Sequence, residues 1–185
     1  SSQRIYVPSR SLQAEVLAHD GLIIPAHIFT PHKGIYGAAT TRMNTFMDVS
    51  HISAVELGLS ADTFMGGHLS ELNDLTFLSN SDAHSLAKIG REYNVLRLQK
   101  PNFAEFKKAM KRENGRGVAA NYGLNPRLGK YHRTYCLNCE QILDGSEYLA
   151  RESAATCPHC QGHRFVIGVM DRIEEITDQD PAVIP

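Results

Sequence analysis

No apolar run in this sequence approaches the roughly 18 residues that a membrane-spanning helix needs, so no membrane is expected among its partners. The opening stretch, "SSQRIYVPSR", lacks the apolar h-region of a secretory signal. Internal repeats and low-complexity tracts are also absent, which sets aside solenoids and repeat arrays. Cysteine is scarce: four residues in 185, with none to spare outside two close pairs. Net charge is only −1, so the overall balance selects no class of partner.

What is present is an ordinary globular composition, 42% apolar and 21% charged, enough to build one domain with a sizeable core and a small appendage. The charge is unevenly spread. From Lys107 to Arg133 there are eight Lys or Arg against one acid, Glu113, and the remainder is correspondingly acidic. That asymmetry points to a polyanion for the middle of the chain, against the alternative of a solvated helix face.

The first 100 residues alternate in the manner of βα units. "RIYV" reads as a short strand, "SLQAEVLAH" as a helix, and "GLIIPAH" as a buried strand ending at His27. A Gly- and Pro-rich loop leads to a helical "MNTFMDVSH", then to a strand "ISAVELG" that carries Glu56. "SADTFMGGHLSEL" is a helical connection, and "LTFLSNSDAH" closes a third unit at Asp82 and His84. A strand "NVLRL" follows, and a helix runs from about 103 to 112 with Asn102 and Glu105 as a capping pair. Residues 116–130 read as a basic, punctuated linker, 131–170 as a cysteine-bearing module, and 171–185 as an acidic, partly loose tail.

The cysteines form two C-x₂-C pairs, Cys136/Cys139 and Cys157/Cys160, separated by 17 residues. This is the spacing of a closed, structural, tetrahedral zinc site. Disulfides and a redox C-x-x-C explain the pattern less well, because each leaves a pair or the spacing unaccounted for. Such a ribbon docks nucleic acid or protein, and Arg127, Lys130 and Arg133 beside it favour nucleic acid.

Three successive strand ends offer ligand-type side chains: His27, Glu56 and the Asp82/His84 pair. Strand ends are where α/β proteins gather ligands. Asp82 and His84, two residues apart, share one face if the strand continues through them. Their bland alternative is a turn with a helix cap. Mixed N/O donors suit a divalent metal that activates water.

The stretches "PAHIFTPHKGIYG", "VELGLSADT", "FLSNSDAHSLAKIGREYN" and "NYGLNPRLGKYHRTYC" resemble the polymerase-and-histidinol-phosphatase (PHP) superfamily, and more narrowly its endonuclease Q branch. The resemblance implies an α/β fold, the C-terminal portion of a PHP-type (β/α)7 barrel over 1–115, followed by a zinc ribbon. It implies a metal-dependent DNA repair endonuclease that nicks 5′ of deoxyuridine, deoxyinosine or abasic sites, cytoplasmic and nucleoid-associated. Asp82 and His84 become the catalytic pair. His27, Glu56, Asp82 and His84 become the metal set for Zn²⁺, Mn²⁺ or Mg²⁺. Damaged DNA is the implied partner, with Lys33, Tyr36, Arg91, Arg127, Lys130 and Arg133 as its contacts. The H-x-H motif that opens the family's barrel has no match here, so the chain is expected to be a fragment, inactive alone, whose open strand edges favour pairing of two copies. A PHP phosphoesterase acting on a small ester and a non-catalytic zinc-ribbon adaptor are the alternatives.

Overall fold

Residues 5–143 and 156–185 are described by the computed structural model. Helix α1 is Ser9–Ala18. Strands β1 (Ala54–Glu56) and β2 (Thr76–Leu78) flank the short helix α2 (Thr63–Gly66) and pair in parallel, with Val55 opposite Phe77. Strand β3 (Tyr93–Arg97), helix α3 (Phe103–Met110) and strand β4 (Gly117–Tyr122) follow, and β3 pairs antiparallel with β4. Strands β5 (Tyr135–Cys136) and β6 (Phe165–Val166) form a third small sheet before helix α4 (Val169–Ile176). Among the described residues the sheets are all two-stranded, a mixed α/β arrangement without a continuous barrel arc.

The "GLIIPAH" segment lies against β1 without joining it as a regular strand. Glu56 N–H donates to Pro25 O and Ile28 N–H to Glu56 O, at 2.9 and 3.0 Å. Pro25 has no N–H to extend that ladder. The segment still alternates like a strand: Ile23 packs into the larger core, and Leu22 and Ile24 into a smaller one. Strands β1 and β2 separate these two cores. Val55 and Phe77 face the first, with Ile28, Met43, Leu69 and Leu72; Ala54 and Leu78 face the second, with Ala109 and Met110. Burial on both faces is the condition a parallel pair needs.

Several expectations are corrected. "RIYV" forms no strand over its described residues, and Ile5 and Tyr6 are exposed. Residues 117–122, within the supposed linker, are strand β4; its Gly, Ala and Asn residues hide the pattern that β-branched residues would have shown. The acidic tail is not loose. Val169, Ile173 and Ile176 of α4 enter the larger core, and Asp178 accepts from Ser70 N–H and pairs with Arg42 at 2.8 Å. Gln179 Nε2 donates to Gly67 O at 2.6 Å. Helix α1 is held by an amide rather than an apolar stripe: Gln13, 3% exposed, exchanges two 2.8 Å hydrogen bonds with the Asp48 backbone.

Helix α3 begins where the sequence indicates. Asn102 Oδ1 accepts from Glu105 N–H at 2.9 Å. The Glu105 carboxylate turns to Arg116 and Lys108, both at 2.8 Å, and these cations hold it down at about 2. A carboxylate lowered below its unfolded value near 4.3 stabilises fully above that value and loses the contribution as pH falls. The urea midpoint is expected to drop between about pH 5 and pH 2, and the drop should be shallower in Glu105→Gln.

Candidate functional site

The four thiols converge. Their sulfurs all lie within 4.8 Å of one another, with Cys136 to Cys160 at 3.7 Å and Cys139 to Cys157 at 3.6 Å. A tetrahedral ion with sulfur at about 2.3 Å requires sulfur–sulfur edges of about 3.8 Å, so the cluster is positioned to bind one metal ion. The two knuckles repeat one another bond for bond. Cys136 O accepts from Glu140 N–H and Cys157 O from Gln161 N–H, at 3.0 and 2.8 Å. Cys136 N–H donates to Gln141 O and Cys157 N–H to Gly162 O. Glu140 and Gln161 both take the left-handed conformation, at φ 60° and 59°. Residues 144–155, inside the module, lie outside the described residues.

The strand ends make a second site, built around Glu56. Its side chain is buried, 5% exposed, and each oxygen accepts a backbone N–H: His27 at 2.5 Å and Gly58 at 2.7 Å. The carboxylate therefore ties the end of the 22–27 segment to the end of β1. Chain direction changes sharply at each strand end. His27, Gly58 and Asp82 have φ of 37°, 88° and 41°. Left-handed backbone at non-glycine residues is strained and concentrates at functional sites. Gly58 is constrained twice, because a Cβ there would also lie 3.3 Å from the Cα and Cβ of His27.

Strand β2 stops at Leu78, so Asp82 and His84 lie in the following loop. The pleat does not align them; the loop does, bringing Asp82 Oδ1 within 3.6 Å of His84 Nε2, both exposed. His27 offers a buried Nδ1 that makes no hydrogen bond. Among the described residues, the cysteines are the sole group of three or more potential ligands that gather together. The structure thus pairs Asp82 with His84, gives His27 an unpartnered ring nitrogen, and commits Glu56 to backbone. Such a set fits part of a metal site.

Two asparagines absent from the sequence reading hold this region. Asn94 and Asn121 are register partners across β3 and β4. Asn94 accepts from Ser79 N–H and donates to Ser79 O; Asn121 donates to Phe77 O and to Asn94 Oδ1. Beside them opens a cleft of about 470 Å³, lined by Gly58, Asp62, Ser79, Glu92, Asn121 and Arg127. Glu92 is 4% exposed and accepts from Leu124 N–H. Burial pushes its carboxyl upward, with Glu56 adding to the effect. Within "GREY" nothing marked it apart from a surface acid.

The expected nucleic-acid contacts divide. Arg127 lines the cleft, and Lys33 and Lys130 are exposed; Lys130 lies 4.4 Å from the Tyr135 ring centroid. Arg91 donates to Ser81 O at 3.2 Å, bracing the loop before Asp82. Tyr36 is corrected: it is fully buried, stacked on Phe29, and its hydroxyl donates to Glu71 at 2.6 Å. Burial, then Glu71, drives that hydroxyl well above its ordinary pKa. Arg133, partly exposed, pairs with Asp171 at 2.6 Å and with Glu174 at 3.2 Å.

Two outcomes are expected. Gly58→Ala should cost about 1–3 kcal/mol in urea unfolding, because the Cβ meets His27 at a left-handed position. Elemental analysis should find about one tightly held ion per chain, lost in Cys139→Ser.

Comparison with known proteins places this geometry. Residues 67–114 match the PHP-associated family model. An uncharacterised Bacillus subtilis protein, YqxK, is 50% identical over 186 positions, covering 100% of this chain and 46% of that protein. An uncharacterised protein of Methanocaldococcus jannaschii is 44% identical over 134 positions, 67% of this chain and 16% of its own length. The lesion-specific endonuclease Q of Pyrococcus furiosus superposes with a TM-score of 0.85 at 34% identity, over 95% of this chain and 44% of that one. An endonuclease Q complex with a 27-mer duplex, an abasic lesion at its active site, superposes at 0.82. The chain therefore spans less than half the length of YqxK and of endonuclease Q. It carries a PHP-associated segment and is endonuclease Q-like in fold over 95% of its length.

Proposed function

We propose that this chain is part of a metal-dependent DNA repair endonuclease that nicks on the 5′ side of deaminated bases, deoxyuridine or deoxyinosine, or of abasic sites. The observation that carries the reading is the superposition on endonuclease Q across 95% of the chain at 34% identity. The solved complex of that enzyme with an abasic duplex supports DNA as the partner. Zinc is the metal proposed for the four cysteines, on the donor set and its spacing.

At the strand ends, Asp82 and His84 are the residues assigned to the reacting phosphate, as ligands for a divalent ion, with His27 as a third donor. Such an ion supplies an activated water and a counter-charge for the phosphorane. Glu56 positions His27 through its backbone, and Arg91 positions the Asp82 loop through Ser81 O. Lys33, Arg127 and Lys130 are assigned to backbone phosphates. The remaining ligands are assigned to the part of such an enzyme that this chain does not span. Cytoplasmic placement beside DNA follows from the same reading.

One observation favours a second reading, a non-catalytic DNA-binding adaptor: Asp82 and His84 are the two strand-end donors whose side chains meet. Oligonucleotides carrying one deoxyuridine, one deoxyinosine or one abasic site, incubated with the protein carrying its whole reading frame and Mg²⁺ or Mn²⁺, separate the two. A nick on the 5′ side, reduced at least about a hundredfold in Asp82→Ala with the cysteine-bound metal retained, is the expected result. Binding without nicking by the protein carrying its whole reading frame supports the adaptor instead.

A further inference from the structure

The β3–β4 pair packs Asn94, Leu96, Val118 and Asn121 inward and leaves two tyrosines, Val95 and Arg97 on its outer side. Asn94 and Asn121 reach the end of β2, whereas their strand neighbours Tyr93, Val95 and Tyr122 are 47%, 43% and 51% exposed. Leu86 and Ile89, in the turn before β3, are exposed further, at 87% and 67%. Tyr93 and Tyr122 are register partners whose rings stack at 4.8 Å between centroids and 12° between planes. Each ring covers one face of the other, and about half of each tyrosine stays exposed. An apolar surface of this kind marks an interaction site.

The surrounding charge selects the occupant. Between Ala83 and Arg112 there are eight Lys or Arg and two acids, Glu92 and Glu105, both buried. Lys88 and Lys100 are exposed and make no ion pair among the described residues, and Arg97 reaches only Gly115 O at 3.4 Å. A second copy would set like charge against like charge across the same surface. Single-stranded nucleic acid supplies what the patch lacks: phosphates for the cations and π-faces for the tyrosines. The patch also adjoins the strand-end site, through Arg91 on Ser81 O and Asn94 on Ser79.

We infer that the outer face of the paired strands β3 and β4 is a base-stacking platform. An unstacked base of the DNA lies on the Tyr93–Tyr122 pair, and Lys88, Arg97 and Lys100 take the flanking phosphates. This inference rests on the DNA-endonuclease reading and adds to it the surface that holds the opened strand.

The test uses the zinc-loaded protein and a duplex with 2-aminopurine opposite an abasic site, read by anisotropy for affinity and by emission for stacking. The wild type is expected to quench the probe. Tyr93→Ala with Tyr122→Ala should lose the quenching and bind about tenfold more weakly, and Tyr93→Phe with Tyr122→Phe should retain both. Lys88→Glu with Lys100→Glu, which leaves the aromatic pair intact, should weaken binding and flatten its salt dependence. Unchanged affinity and quenching in the alanine variant overturn the platform while leaving the endonuclease reading in place. Absence of DNA binding by the wild type overturns the endonuclease reading itself. A dimer that sedimentation detects and the alanine variant dissolves makes the patch a self-interface and also overturns the platform.

Discussion

The buried carboxylate of Glu56 is the constraint on which the strand-end region depends. One oxygen holds the N–H of His27, 29 residues before Glu56, and the other holds the Gly58 N–H, so two segments are fixed to a single side chain. A buried carboxylate without such donors would be costly to keep charged. Here the donors are backbone groups, both at left-handed positions. The loop that leads to Asp82 is held separately, by Arg91 on Ser81 O and by Asn94 on Ser79.

A second buried carboxylate performs the equivalent task for the cysteine cluster. Asp171, at the start of α4 and fully buried, accepts from the N–H and Oγ1 of Thr134 and from Arg133. Helix α4 simultaneously fills the main core with Val169, Ile173 and Ile176, and its Arg172 donates to Tyr36 O. The segment leading into Cys136 is therefore anchored to the same core that supports β1 and β2. A metal-binding module and a strand-end site are coupled through one short helix.

Features resting on residue type and short spacing were legible in the sequence. The two cysteine pairs, the Asn102 cap and the Asp82/His84 pairing each belong to a few consecutive residues, and all three are present. Legibility failed where a side chain has two characters. Tyr36 offered a hydroxyl and a ring, and burial of both against Phe29 and Glu71 decided its place. Arg133 was a cation near a ribbon, and its proximity to Asp171 is tertiary. Helix α4 showed acids in the sequence while its apolar residues at 169, 173 and 176 carried the packing. The roles of Asn94 and Asn121 depend on the register of two strands separated by a helix, which no local pattern records.

The repeated backbone pattern of the two cysteine knuckles has an energetic consequence. Each pair of thiols is presented by a turn closed on its own hydrogen bonds, so each half of the site is shaped before an ion arrives. The two halves, 17 residues apart in the sequence, already meet with their four sulfurs within 4.8 Å of one another. The β5–β6 pairing, with Cys136 opposite Phe165, holds one half beside the other. Substituting within a turn would be costly, because it loosens both thiols of a half at once.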